Sequence, residues 1–338
     1  MLATTPRGPS RRLTIAIHTE LTRRNPSQAL TGVLAMHTNT TSRRQFLASA
    51  AAAAATAVVS SAHAIEPLER VGKSHFKLSL AAYSYRSLLS GNGAKLTLTD
   101  FIQDCARFGL DGTELTSYYF PEEITPEYLR SLKRECFRLG LEVSGTAIRN
   151  DFGFPTGHPE RKKWLEHTKN WIRYAEILSA PVIRIFAGHQ QKDVSAEDTH
   201  RLMVEGMQEC CDVAAQHGVY LALENHGGPT ATSEGLLKLV RDVDSPWFGV
   251  NLDTGNFRSD RVYEELAEAA PYAVNVQVKA TIANEKREKS PADYQRIADI
   301  LRAANYSGYV VLEYEEAGDP REEAPKELAK LRSALSAS

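Results

Sequence analysis

Residues 65–338 predict one closed barrel of eight parallel β-strands, each followed by a helix: a (β/α)8 fold. Three observations predict it. Short β-rich runs alternate with amphipathic stretches eight times in succession, and no linker-like segment interrupts them. Removing a 64-residue leader from 338 residues leaves 274, about the size of one such barrel. An open doubly wound sheet is the competing architecture. No glycine-rich phosphate turn follows the first strand, which weakens a dinucleotide-binding version of it.

The strands are expected at Leu78–Tyr83, Gly112–Thr116, Glu142–Ile148, Pro181–Ala187, Tyr220–Asn225, Phe248–Thr254, Ala273–Ala280 and Tyr309–Glu315. Between them, patterns such as Trp164, Trp171, Ile172, Ala175 and Leu178 step by three and four residues and share one helical face. Gly109, Gly140 and Gly218 stand where helices should stop. Thr99, Thr125 and Ser233 are the expected N-caps.

Residues 1–64 read as an upstream extension and a signal peptide. Ser42-Arg43-Arg44-Gln45-Phe46-Leu47 precedes an alanine-rich, charge-free run from Ala48 to Val59. The run ends at Ala62-His63-Ala64, a small-x-small cleavage pattern. Paired arginines before a mild apolar stretch address the twin-arginine route, which carries folded proteins. The run is too short and too rich in alanine to span a bilayer well. The expectation is a periplasmic or otherwise extracytoplasmic protein, free of the membrane once the signal is cleaved. Ile65, not a cysteine, stands immediately after the cleavage site, which argues against a lipid anchor.

The leader carries seven of the forty Lys and Arg and one of the forty-two Asp and Glu. That leaves 33 basic against 41 acidic side chains, a formal net of −8. Such a surface repels a phosphodiester backbone, so nucleic acid is not an expected partner. Cys105, Cys136, Cys210 and Cys211 all fall in expected helices and read as buried, unpaired thiols.

The parity of the later strands is informative, because side chains alternate faces along a strand. Leu221 and Leu223 oppose Ala222 and Glu224; Val250 and Leu252 oppose Asn251 and Asp253. Val274, Val276 and Val278 oppose Asn275, Gln277 and Lys279; Val310, Leu312 and Tyr314 oppose Val311, Glu313 and Glu315. The helix layer takes the apolar set, so the polar set points into the barrel. Glu224, Asp253, Gln277 and Glu313 then recur one per unit at spacings of 29, 24 and 36, and meet at the C-terminal mouth. Three converging acids repel one another unless a divalent cation or several basic groups neutralise them. Arg149, Arg184 and Lys279 are available for salt bridges, while the hard oxygen donors favour a cation.

At these residues the sequence resembles the sugar phosphate isomerase/epimerase family, the xylose-isomerase-like TIM barrels. The resemblance is clearest in Leu221-Ala222-Leu223-Glu224-Asn225-His226, in Gly249-Val250-Asn251-Leu252-Asp253-Thr254-Gly255-Asn256 and in Val310-Val311-Leu312-Glu313-Tyr314. It implies one divalent metal held by Glu224, Asp253, the position of Gln277, and Glu313, with the two glutamates exchanging a substrate proton. Gln277 stands where the family has histidine, and Asn256 where a second histidine often follows the Asp. An all-oxygen donor set moves the preference toward Mn²⁺ or Mg²⁺ and away from Zn²⁺ or Co²⁺. His189 and His226, just past strands four and five, are candidates to approach the site; Glu114, at the end of strand two, is a candidate for a sugar hydroxyl or for Arg149. Lys279 would polarise a carbonyl or balance the acids. Tyr83, Tyr85, Tyr118, Tyr119 and Phe120 would form an apolar wall or pack the rim.

The expected activity is isomerisation or epimerisation of a keto-sugar or related carbohydrate, with a small carbohydrate as the partner and a homo-oligomer left open. A metal-dependent carbohydrate lyase shares the first proton abstraction. A sugar-binding protein with a degenerate metal site is the non-catalytic alternative. A DNA-repair phosphodiesterase needs more histidines and a basic face. The substrate is expected to be unphosphorylated, because strand eight runs into the acidic Glu313-Tyr314-Glu315-Glu316-Ala317-Gly318-Asp319, although Lys286 and Arg287 follow strand seven. For the leader, replacing Arg43 and Arg44 together by lysine is expected to leave uncleaved precursor in the cytoplasm; fractionation showing unchanged export by that route would remove the twin-arginine assignment.

Overall fold

The computed structural model describes residues 66–90 and 94–337, so the leader expected over 1–64 lies outside the described residues. Eight parallel strands close on themselves: β1 (Phe76–Ala81), β2 (Gly112–Thr116), β3 (Glu142–Ala147), β4 (Val182–Ile185), β5 (Tyr220–Glu224), β6 (Phe248–Asp253), β7 (Ala273–Val278) and β10 (Gly308–Leu312). The ring closes where β1 pairs with β10, Phe76 opposite Gly308. The remaining two strands, β8 (Thr281–Ala283) and β9 (Lys289–Pro291), form an antiparallel hairpin in the loop after β7. The sequence reading did not anticipate this hairpin, because three-residue strands are too short to show a period.

Helices alternate with the strands: α1 (Leu98–Arg107), α2 (Pro126–Arg138), α3 (Pro159–Leu178), α4 (Ala196–His217), α5 (Ser233–Asp242), α6 (Val262–Ala269), α7 (Tyr294–Ala303) and α8 (Pro320–Ser336). Each strand prediction overlaps its observed strand, but several extended too far at the C-terminal end. Side chains go on alternating there after strand pairing has stopped. Glu313 is such a residue: it follows β10, yet its N–H still donates to the Val278 carbonyl at 2.8 Å.

Two of the expected N-caps are displaced. Thr97, not Thr99, caps α1, in a reciprocal box with Asp100. Thr232, not Ser233, caps α5 by accepting from the Gly235 N–H. Neighbouring hydroxyls are equivalent in sequence, and the extended backbone that a cap needs decides between them. Thr125 caps α2 as expected. Gly109, Gly140 and Gly218 follow their helices with φ of 63°, 75° and 64°, in the left-handed region where a side chain is strained. All four cysteines are buried and free.

The apolar parity set lies in the main core between barrel and helices, including Leu221, Leu223, Val250, Leu252, Val276, Val278, Val310 and Leu312. Inside the barrel a separate small cluster of Ala81, Tyr309 and Val311 packs with Tyr83. The loop after β3 is fixed firmly. Phe152 is fully buried against α4, where a Cβ on Gly206 would come within 2.9 Å of the Phe152 ring. Arg161 of α3, itself buried, donates to the carbonyls of Phe152, Phe154 and Leu202 at 2.8–3.1 Å. This loop supplies one wall of the barrel mouth.

Candidate active site

Parity delivers the polar residues as expected. Glu224, Asp253, Gln277 and Glu313 are all buried at the C-terminal end of the barrel, with Asp253 opposite Gln277 across the β6–β7 ladder. Each is engaged by a partner within the protein. Glu224 Oε2 lies 2.8 Å from Arg184 Nε, a charge contact without hydrogen-bond alignment, and Glu224 Oε1 accepts from Asn256 Nδ2 at 2.7 Å. Arg184 is further tied to the Ile148 carbonyl at 2.7 Å and lies over the Phe186 ring.

Lys279 sits among the other acids. Its ammonium donates to Glu313, lies 3.1 Å from Glu315 Oε2 and is 3.3 Å from Asp253 Oδ2. The Lys279 N–H donates to Thr254 Oγ1 at 3.0 Å, which fixes the base of the side chain. Burial alone would discharge this lysine, but Asp253, Glu313, Glu315 and Glu224 outweigh it and hold its pKa well above the ordinary value. Burial pushes Asp253 up to about 7 against the pull of Lys279, and raises Glu224 well above the usual carboxylate range against Arg184.

Below this layer, Gln277 belongs to a ring of amides. Its Nε2 donates to Glu114 Oε1 at 2.7 Å, and its Oε1 accepts from Asn251 Nδ2 at 2.7 Å. Asn275 Nδ2 closes the ring on Asn251 Oδ1 at 2.8 Å and on Glu114 Oε2 at 3.2 Å. Glu114 is fully buried, and burial followed by the charge of Glu313 pushes it up to about 7. It meets these amides and not the exposed Arg149 considered from sequence.

As a cage for a divalent cation, the set fits badly. An ammonium stands between Asp253 and Glu313, a guanidinium lies against Glu224, and both polar atoms of the Gln277 amide are engaged elsewhere. Among the described residues, no three His, Cys, Asp or Glu side chains are arranged to hold a metal ion. The four-residue ligand set expected from sequence is therefore not assembled. One feature points the other way: Asp253 Oδ2 is buried and accepts no hydrogen bond.

Above the acids opens a cavity of about 510 Å³, lined by Glu224, Lys279, Glu313 and Glu315 on one side. Tyr83, Tyr118, Phe154, Trp164 and Phe186 line it too, with Arg149 stacked over Tyr118. Trp164 thus faces the cavity and is not part of the buried helix face; Tyr85, by contrast, is buried in the core against Phe101. His226 lines the cavity beside Phe186, its pKa lowered to about 4 by burial and then by Arg184 and Lys279. His189 also lines it, largely exposed and bonded to Asp151 at 3.1 Å. Glu315 went unselected in the sequence reading although it shares the parity of Glu313. The amide ring of Asn251 and Asn275 was visible only as inward polarity.

This fold and this mouth define a class. The sequence matches the xylose isomerase-like TIM barrel family over residues 102–334, and the chain belongs to that family. Among characterised proteins it is 26% identical over 199 residues to L-ribulose-5-phosphate 3-epimerase UlaE of Escherichia coli K12, covering 55% of this chain and 70% of that protein. It is also 26% identical over 178 residues to 3-dehydroshikimate dehydratase of Bacillus anthracis, covering 52% and 61%. A crystal structure of D-psicose 3-epimerase in the presence of D-fructose shares the fold with a TM-score of 0.65 at 19% identity, over 77% of this chain and 100% of that one.

Arg184 and Glu224 form a buried pair, with side chains 5% and 4% exposed, and losing one partner strands the other's charge. Arg184→Met is expected to cost about 3–5 kcal/mol in urea unfolding, as is usual for breaking a buried pair. Adding Glu224→Gln should restore part of that loss. Wild-type stability in the single variant would show that the contact carries no weight.

Proposed function

We propose that the chain is a carbohydrate isomerase or epimerase that moves a proton at the carbon beside a carbonyl, with Glu224 and Glu313 as its two bases. The observation that carries this reading is their placement. Both are buried at the ends of non-adjacent strands, β5 and β10, and both open onto one sugar-sized cavity. A substrate lying between them presents opposite faces of its reacting carbon to the two carboxylates. Burial raises the basicity of Glu224, which suits a group that must take a proton from carbon. Arg184 and Lys279 supply positive charge at the same mouth, where negative charge develops on the substrate oxygen. The epimerases among its relatives support this choice of reaction.

The metal expected from sequence enters no step here, because Glu224, Asp253, Gln277 and Glu313 are committed to other partners. An unphosphorylated substrate belongs to the same reading. Glu315 and Glu316 project beyond β10, and Glu316 pairs with Lys289 of the β9 strand at 3.0 Å. A smaller cavity nearby does include Arg258 and Arg287, so phosphorylated sugars belong in any test. Division of the chain into a twin-arginine leader over 1–64 and a barrel over 65–338 is also proposed, and export agrees with a free sugar, since sugar phosphates are mainly cytoplasmic.

A lyase is the second reading, favoured by the 3-dehydroshikimate dehydratase among the relatives. It begins with the same proton removal and ends with loss of a leaving group. Deuterium from solvent is expected to enter a free keto-sugar at the reacting carbon faster than it enters the phosphate. Glu224→Gln and Glu313→Gln should each slow that exchange by ~10²–10⁴-fold. Full exchange in either variant would remove the two-glutamate mechanism, and an unsaturated product would assign the lyase.

A further inference from the structure

The lysine at the centre of the acids has a consequence for the whole site. Lys279 stands just past the end of β7, two residues beyond Gln277 and with the same parity, and its side chain runs to Asp253, Glu313 and Glu315. Three carboxylates of different strands and loops thus share one ammonium. Two further features show space made for this side chain. A Cβ on Gly255 would come within 2.6 Å of Lys279 Cγ and 2.9 Å of its Cβ, so the turn after β6 admits the lysine stem only because residue 255 is glycine. Thr254, next to it, accepts the Lys279 N–H. Gln277, the one neutral donor in the expected ligand set, is turned away into the amide ring.

We infer that the Lys279 ammonium is the resident cation of this site, standing in the place of a divalent metal, and that the protein works without one. The inference rests on the proton-transfer function proposed above and specifies the source of its positive charge. In that reaction one glutamate enters as a carboxylate and the other as an acid. The carboxylate takes the proton from carbon, and the electron pair left behind moves onto the substrate's carbonyl oxygen. Lys279 donates a hydrogen bond to that oxygen and keeps its own proton. The second glutamate returns a proton to carbon as the electron pair moves back, so the two glutamates end with their roles exchanged and no charge is gained or lost. Asp253 Oδ2, buried and outside the cavity lining, faces the Lys279 ammonium at 3.3 Å and helps hold it in place.

The test is binding of Mn²⁺ alone, read without reference to turnover. EDTA-treated wild-type protein is expected to keep its melting temperature when Mn²⁺ is added, and to retain no manganese after gel filtration. Lys279→Ala removes the ammonium and leaves Asp253, Glu313 and Glu315 uncompensated; its melting temperature should rise by several degrees with Mn²⁺, as a ligand that binds only the folded state requires. Lys279→Arg should stay unresponsive. A wild type that holds about one Mn²⁺ per chain and loses stability with EDTA would overturn the inference, whether or not Lys279→Ala folds. Absence of a response in both wild type and a folded Lys279→Ala would also overturn it, because the lysine would then not be what occupies the cation's place. Deuterium exchange keeps the two readings apart. Exchange that requires Mn²⁺ defeats only the lysine, whereas no exchange into any keto-sugar by a protein that passes the manganese test defeats only the proton-transfer function.

Discussion

Like charge confined at one end of a closed barrel is the constraint on which the rest of this structure depends. Glu224, Asp253, Glu313 and Glu315 stand at the C-terminal ends of β5, β6 and β10, the first three of them buried. Away from bulk water, like charges about 4 Å apart repel by several kcal/mol without compensation. The barrel answers with two basic side chains placed asymmetrically. Arg184 takes Glu224, and Lys279 takes the other three. Each base is in turn anchored from below, Arg184 through the Ile148 carbonyl and Lys279 through Thr254. The charge arrangement therefore persists without substrate, the condition under which electrostatic stabilisation costs no rearrangement during reaction.

The amide ring beneath has a different effect. Asn251, Asn275 and Gln277 satisfy one another and Glu114 inside the barrel, where every polar atom left unpaired would be expensive. Amides carry both donors and acceptors, so they can close such a ring without adding charge. Gln277 is held on both polar atoms. Turning it toward the acids above would break two hydrogen bonds and leave Glu114 with one partner fewer.

Much of this was legible in the sequence, and the limit is physical. A period of two assigns each side chain to a face, which is why Glu224, Asp253, Gln277 and Glu313 were found inside the barrel as expected. Parity says nothing about the direction a long side chain takes from that face. Lys279 and Gln277 share a face, yet one rises to the acids and the other joins the ring below. That difference depends on space, which Gly255 provides for the lysine, and on partners from strands distant in sequence, such as Glu114. The choice between salt bridges and metal therefore lay beyond residue types alone. The same limit applies to the caps, where Thr97 and Thr232 prevail over nearby hydroxyls through backbone geometry.

The cavity combines aromatic rings with charged groups. Its floor carries Glu224, Lys279, Glu313 and Glu315, from the second half of the barrel. From the first half, α3 contributes Trp164 and the segments after the strands contribute Tyr83, Tyr118, Phe154 and Phe186, beside the charged Arg149 and Asp151. A sugar has C–H bonds that pack on aromatic faces and hydroxyls that need polar partners, and the cavity offers both. The firmly held loop after β3 contributes Phe154 to the cavity wall, and Arg161 fixes its backbone from behind through the Phe152 and Phe154 carbonyls. In the reaction proposed above, a wall fixed in this way would hold the carbohydrate between the two glutamates, with the reacting carbon facing the charges that the barrel keeps in place.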